Sequence, residues 1–397
     1  MKIIRVLIVL AVYAAACSPA GNPEGSGGET SAIPFSAEPA PEWSALFDRT
    51  EGWFGGDGIF AIPLSGRDFD DQADADSVLF VFSDTMVGKI DAGKLQPGYR
   101  MINNSIMVLK GRKPLMARAD FRVNRNDAQE PTTLFVPRPG SAPDGDYFWL
   151  GDGFVSHDNG NLYLFAYRIR NTNTGDFPFR EVGNSLLVLP KASLYPYSDH
   201  KQLELPFSDY DAPTFTSFGV GILDNTREAG VPEPDGYVYV YGVRGSNKQL
   251  VVARMSPDAV ETFSDWEFWN GKGWSRNILE SAALADSVSN ELSVSPIGKN
   301  RYALVYQYGG IFPTICMQIG PTPVGPFGPR LTVWDTSDDL KADPSLFSYN
   351  AKAHPAISGP GELIISYNVN SFKFFEVIES IPNLYRPRFI RVNFHQD

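Results

Sequence analysis

One strand-length apolar pattern recurs five times along the chain. It reads LFVFSDTMVG (79–88), NLYLFAYRIR (161–170), GYVYVYGVRG (236–245), RYALVYQYGG (301–310) and ELIISYNVNS (362–371), with starts 82, 75, 65 and 61 residues apart. Each run is followed by a second apolar run (NSIMVLKG, NSLLVLPK, QLVVARMS, TICMQIGP, RFIRVNF). Each is preceded by one that ends in a turn (DGIFAIPLSG, DGFVSHDNG, FGVGILDN, ELSVSPIGKN, AHPAISGPG). No long apolar stripe of period 3.6 bounded by helix caps occurs. Five copies of strand, turn, strand, loop, strand predict an all-β fold, a five-bladed β-propeller whose blades stack radially and leave only short edges. The competing architecture is a β-sandwich. Roughly seventy residues per blade, against about forty to fifty in compact propellers, leaves long loops over one face.

In a propeller the first strand of each blade lines the central channel, so residues at its start converge on one funnel. Two of these strands begin with Gly-Asp-Gly, placing Asp57 in WFGGDGIFAIPL and Asp152 in WLGDGFVSHDNG. Glycine lets the backbone crowd the axis beside the acid. At the matching place the fourth repeat offers Glu291, the fifth offers His354, and the third offers no charge.

Composition supports the same picture. With 43% apolar residues, Phe 27, Tyr 17, Gly 36 and Pro 31, the chain can bury a large β core joined by turns. Its net charge is −12, and no Lys/Arg run lies beyond the extreme N-terminus, which argues against nucleic acid as a partner. MKIIRVLIVLAVYAAACSPA has a basic start, an apolar core too short to span a bilayer, and small residues up to Cys17, the layout of a secretory signal over residues 1–17. Its AAAC resembles the lipobox of bacterial lipoproteins, with Ala14 where Leu is usual. That resemblance implies a lipidated Cys17 and a membrane anchor, and Ser18 fits sorting to an outer membrane. Residues 18–41, rich in Gly, Pro, Ser and Glu, read as a flexible tether, leaving 42–397 as the folded domain, expected to be a monomer. With Cys17 lipidated, Cys316 has no disulfide partner, and in TICMQIG it reads as a buried, inert thiol.

The chain has four histidines and no HExxH, CxxC, GxSxG or Gly-rich Lys-Ser/Thr loop, so zinc hydrolysis, Ser-His-Asp catalysis and nucleotide binding lack support. What remains is carboxylates converging on a pocket rich in aromatics, as glycoside hydrolysis needs, with no required cofactor. Asp57 and Asp152 read either as Asp-Gly turn formers or as funnel acids, and Glu291 as an exposed strand residue or a funnel acid. His354 reads as a satisfied structural histidine or as an axial ligand for water or a structural cation. Asp84 in FVFSDT reads as a structural hydrogen-bonding residue. Asn104, Arg168 and Lys352 are candidate sugar or carboxylate clamps, while Trp53 and Trp149 either stack on sugar faces or plug gaps between blades. The stretch DFDDQADAD (68–76) reads as a solvated acidic turn rather than a calcium loop.

Together WFGGDGIFAIPL, LFVFSDTMVG, MINNSIMV, WLGDG, GNLYLFAYRIR, NELSV, RYALVYQ, YNAKAHPAIS and LIISYNVN resemble a family of exported bacterial proteins filed as a domain of unknown function, some of whose relatives are endo-D-arabinanases. The likeness covers residues 53 to about 371 in order. This family is in turn similar to the furanosidase propellers, including arabinanases and fructan hydrolases, which have five blades and an acidic triad in the funnel. The resemblance implies a glycoside hydrolase acting on a furanose-containing polysaccharide such as an arabinan. It casts Asp57 as base or nucleophile, Glu291 as general acid, and Asp152 as the carboxylate that tunes its partner and binds sugar hydroxyls. In those propellers the acid usually comes from the third blade, whereas Glu291 falls in the fourth. The alternative on the same fold is a non-catalytic surface glycan-binding lipoprotein, and a third class is a partner-binding propeller.

Overall fold

The middle strands of the five repeats are buried on both faces, which is why they read as continuous apolar runs rather than alternating ones. The computed structural model describes residues 33–69, 76–138, 142–172, 178–212 and 214–395. The signal sequence, Cys17 and the tether up to residue 32 lie outside the described residues. Among the described residues no helix is long and apolar enough to cross a membrane.

The first sheet is Phe60–Pro63, Ser77–Phe82, Ser105–Lys110 and Ala119–Arg122, and the second is Tyr147–Val155, Leu162–Asn171, Phe179–Leu189 and Lys201–Glu204. The third runs Thr216–Asn225, Tyr237–Arg244, Gln249–Met255, Glu267–Trp269 and Trp274–Ser275, and the fourth Leu292–Gly298, Arg301–Gln307, Thr314–Gly320 and Leu331–Asp335. The fifth is Leu346–Ala353, Glu362–Ser371 and Arg388–Phe394, completed by Phe35–Pro39 from the other end of the chain. Neighbouring strands pair antiparallel. A small extra sheet, built on Glu51–Gly56 and Thr85–Asp91, grows from the first repeat.

Five apolar cores link these sheets in order. Leu79 and Ile106 of the first sheet pack with Phe148 and Leu164 of the second. Phe165 and Leu186 pack with Phe218 and Val240 of the third, and Tyr241 and Val252 with Leu304 and Cys316 of the fourth. Val305 and Met317 pack with Ile365 and Val392 of the fifth. The last core joins Ile364 and Phe389 of the fifth sheet to Phe80 and Met107 of the first, with Trp43 and Phe47 from the helix Pro41–Ala45 and the residues after it sealing the seam. The order of packing therefore returns to its starting sheet. Cys316 is buried within this scheme, as expected of an inert thiol.

Two sequence expectations change. The tether does not run to residue 41, because Phe35–Pro39 pairs with the last strand from Phe35 opposite Phe394 to Pro39 opposite Ile390. Its Phe35 and Ala37 pack on the core, an alternation too short to stand out from a Gly/Pro-rich context, and Pro39 is tolerated because the strand lies at a sheet edge. The first strand of the fifth sheet is Leu346–Ala353 rather than AHPAISGPG, where Pro355 opens a short 3₁₀ turn.

A chain beginning at residue 40 therefore loses the edge strand that joins the two ends. Compared calorimetrically with a chain beginning at residue 33, its unfolding midpoint is expected to be lower by about 5 °C or more. Equal midpoints would show that the strand contributes nothing to the fold.

Candidate functional site

Bulges interrupt the innermost strands at a common level. The register slips between Leu150 and Gly153 in the second sheet, between Phe218 and Gly221 in the third and between Tyr349 and Lys352 in the fifth. A bulge re-aims the residues it adds. Those residues include Asp152, whose Oδ2 accepts from Ile222 N on the next sheet (2.7 Å), and Asn350, whose amide donates to Glu291 Oε1 (2.9 Å). In the third sheet Gly219 takes this place with φ +88°, and a Cβ there would meet Phe165 at 2.2 Å. At the corner beside Asp57, Gly58 has φ +62° and a Cβ would meet Ser83 Oγ at 2.4 Å. The glycines flanking the acids thus serve backbone geometry, and the acids face neighbouring elements.

Asp57 and Asp84 are locked together by their backbones. Asp57 N donates to Asp84 O (3.2 Å) and Ser83 N to Asp57 O (2.8 Å). The Tyr349 hydroxyl donates to Asp57 Oδ2 (2.6 Å), while among the described residues the buried Asp57 Oδ1 has no hydrogen-bond partner. Asp84 Oδ1 accepts from the Trp149 indole (2.9 Å) and from the Asn103 amide (3.2 Å), and among the described residues no donor reaches Oδ2. Burial raises Asp57 above the ordinary carboxylate range against the Tyr349 and Tyr385 hydroxyls and the Lys352 charge. Burial, then the charge of Asp57, pushes Asp84 up to about 7, with the indole and amide acting the other way. Two like charges this close do not both ionise readily, so the pair holds a proton into the neutral range.

Lys352 is 1% exposed. Its ammonium donates to Glu291 Oε2 and to Asn350 O (3.0 Å) and lies over the Phe60 ring at 4.6 Å. Burial pushes Glu291 up to about 7, against the pull of Lys352, and the charges of Asp57 and Asp152 add to the rise. Asp152 is pushed to about 7 by burial, against the N–H groups of Gly153 (2.8 Å) and Ile222 and the Lys352 charge. The three sequence-predicted acids are therefore brought together around one ammonium. Both oxygens of Glu291 and both of Asp152 are already engaged.

Of the predicted binding residues, Trp149 and Lys352 lie in this site. The others do not. Trp53 is 1% exposed, packed among Phe47, Phe82 and Phe121, and is a seam-filling residue. Asn104 is wholly buried, its amide donating to Phe135 O and Phe148 O and its oxygen accepting from Phe135 N. Arg168 donates to Val182 O (3.1 Å) and lies 3.9 Å from Asp146 and 3.8 Å from Glu204, away from the acids around Lys352. His354, 2% exposed, sits at the far end of its strand with Nε2 at 2.7 Å from Ser366 Oγ, and burial and Lys352 hold it well below the ordinary histidine value. It is a neutral, satisfied histidine beside a cavity of about 30 Å³ that Asp68, Asp152 and Ser295 also line. Asp68 departs from the expected solvated turn, because burial and the neighbouring Asp152 push it up to about 8. Among the described residues no cluster of three or more His, Cys, Asp or Glu is disposed to hold a metal ion.

Asp84, assigned a structural role from sequence, joins the site, and Tyr349, Tyr385, Asn350 and Asn103 were not singled out. Tyr349 and Asp57 are 292 residues apart in the chain, so no local pattern announces their contact. The family model for a domain of unknown function, DUF5005, matches residues 41–395. The chain belongs to the DUF5005 family. No curated protein matches it. Among solved structures this DUF5005 chain is similar to a presumed hydrolase of Bacteroides ovatus, 21% identical with a TM-score of 0.66 over 90% of each chain, which shows a shared fold. Weaker likenesses include an exo-β-1,3-galactanase of Phanerochaete chrysosporium (9% identity, TM-score 0.46, 86% of this chain and 62% of that one). Another is an α-L-arabinofuranosidase of Clostridium thermocellum (11%, 0.39, 78% and 82%).

Two stability outcomes follow from the geometry of this DUF5005 site. Asp84 holds its proton more tightly folded (about 7) than unfolded (3.8), so its contribution is complete below the unfolded value and is lost as pH rises through 7. The unfolding midpoint should fall between about pH 5 and about pH 8, and Asp84→Asn should flatten that slope; an unchanged slope would exclude the buried-acid account. Lys352→Met leaves Glu291 uncompensated and should cost about 3–5 kcal/mol in denaturant titrations at pH 8, most of it regained when Glu291→Gln is added.

Proposed function

We propose that the five sheets are the blades of a closed five-bladed propeller and that the protein is a glycoside hydrolase. The observation that carries this reading is the Asp57–Asp84 pair, two neighbouring carboxyls which, among the described residues, form no ion pair. In the proposed reaction Asp84, protonated on the free Oδ2, gives its proton to the leaving glycosidic oxygen. Asp57, held by Tyr349, attacks the anomeric carbon or deprotonates the attacking water. The role of proton donor thus passes from Glu291 to Asp84, since Glu291 faces an ammonium and an amide, both hydrogen-bond donors. Glu291, Lys352 and Asp152 set the charge around the pair. Water is the only co-substrate required.

Aromatic walls flank the pair and suit stacking on sugar rings. Trp149 meets Tyr147 and Phe179 on one side; on the other, Tyr349 meets Phe347, which meets Phe372, itself 50% exposed. The substrate class, a furanose-containing, arabinan-like polysaccharide, rests on the resemblance of the motifs to the endo-D-arabinanase relatives. Export through residues 1–17, lipidation at Cys17, an outer-membrane location and a monomeric state complete the reading. Saturation of Glu291 and Asp152 by their neighbours favours a second reading, a glycan-binding lipoprotein without catalysis.

Incubating residues 33–397 with arabinan, levan and β-1,3-galactan separates the two. The hydrolase reading expects oligosaccharides from the parent, a loss of at least about 10³-fold in kcat for folded Asp57→Asn and Asp84→Asn, and a kcat that declines above about pH 7 as Asp84 loses its proton. Binding without release by the parent would establish the second reading.

A further inference from the structure

We propose that Glu181, Ser217 and Tyr210 form a second sugar-recognition subsite where the second and third sheets meet, in which the carboxyl of Glu181 donates a hydrogen bond to a substrate hydroxyl. The substrate class rests on the reading above. Glu181 belongs to the strand Phe179–Leu189 and shares a face with Phe179, two residues earlier. Phe179 meets the Trp149 ring edge-on at 4.7 Å, and the Trp149 indole donates to Asp84. A chain of contacts therefore leads from Asp84 through Trp149 and Phe179 to the strand that carries Glu181.

Ser217, the second residue of the first strand of the third sheet, has its hydroxyl 2.8 and 2.9 Å from the two oxygens of Glu181. The Tyr210 hydroxyl, on the loop leading into that strand, lies beside the carboxyl. Tyr167 faces Glu181 from the strand Leu162–Asn171, while Arg168 and Glu204 act on Tyr210. Among the described residues Glu181 makes no ion pair. The residue is half-buried, so part of it reaches solvent while its carboxyl is surrounded by protein. Burial pushes it up to about 8, while Ser217 and Tyr210 draw it down. At neutral pH the group is thus an acid with one O–H to give, flanked by two hydroxyls, and a buried carboxyl kept neutral for this purpose is a known device. The set is uncharged and rich in both donors and acceptors, which matches a polyol.

A staple between sheets would use the same contacts, and glutamine would serve it equally well, so the pH profile decides. KM and kcat on arabinan, levan and β-1,3-galactan, or Kd by calorimetry for any polymer bound without cleavage, are measured for the parent, Glu181→Gln and Ser217→Ala from pH 6 to 9. The parent should lose affinity about tenfold between pH 6 and 9, about fivefold of it between pH 8 and 9, as the donor ionises. Glu181→Gln, a donor at every pH, should show a flat profile with kcat within about twofold of the parent, and Ser217→Ala should raise KM with kcat kept. An alkaline rise that persists in Glu181→Gln, or a fall in kcat at unchanged KM, overturns the subsite. Binding with the expected pH pattern but no cleavage retains it while the hydrolase reading fails. Absence of binding to all three polymers by the folded parent overturns it.

Discussion

The ammonium of Lys352 is the interaction on which the site depends. A buried charge costs several kcal/mol unless its partners are close and well aimed. Lys352 meets this condition through Glu291 and the carbonyl of Asn350, and its charge also lowers Asp57 and Asp152. Asp57 lies at the corner before the first sheet, Asp152 in the second, Glu291 immediately before the fourth, and the lysine in the fifth. The attraction therefore holds several sheet ends in register at the level where bulges open the backbone ladders. One ammonium cannot neutralise all of the acids around it. Burial resolves the excess by keeping protons on carboxyls, Asp84 above all.

This arrangement explains how the fold carries an asymmetric site on repeated units. Middle strands enclosed on both faces have no side chains to spare, so polar chemistry is left to strand ends, bulges and corners. Equivalent positions need not supply equivalent groups. Asp84 follows a second strand of its sheet, Glu181 sits on a third, and Asp152 occupies a first. The third sheet, which has Gly219 rather than an acid at its bulge, brings Ser217 to the carboxyl of Glu181.

The repeats were legible because enclosure on both faces writes itself into the sequence as continuous apolar runs. Short polar outer strands such as Lys201–Glu204 have no such signature, and Phe35–Pro39 was masked by its Gly/Pro-rich surroundings. Asp57 and Asp152 were legible through their glycines, whose conformations the corner and the bulge demand. Asp84 was visible but assigned to structure, since the indole that completes its environment lies 65 residues away. Glu181, inside REVGNSLLVL, carries no local signal at all. Trp53 and Trp149 have nearly the same sequence context and opposite fates. The residues following Pro41–Ala45 place Phe47 against Trp53 and seal it, while Trp149 stays half-buried and reaches Asp84.

The protonation pattern narrows what such a cleft can hold. The chain carries a net charge of −12, and an anionic ligand would approach an acidic surface before meeting further carboxyls. A cationic ligand would gain from ionised acids, yet Asp84, Asp152, Glu291 and Glu181 are all held toward their neutral forms by burial. Neutral acids, tyrosine hydroxyls and exposed ring faces are instead the complement of an uncharged molecule that offers hydroxyls at its edges and C–H groups on its faces. A carbohydrate has that surface, and in a low-dielectric cleft each hydroxyl finds a partner without a charge having to be desolvated. On the proposed reading, the burial that keeps protons on these carboxyls favours such a ligand over a charged one.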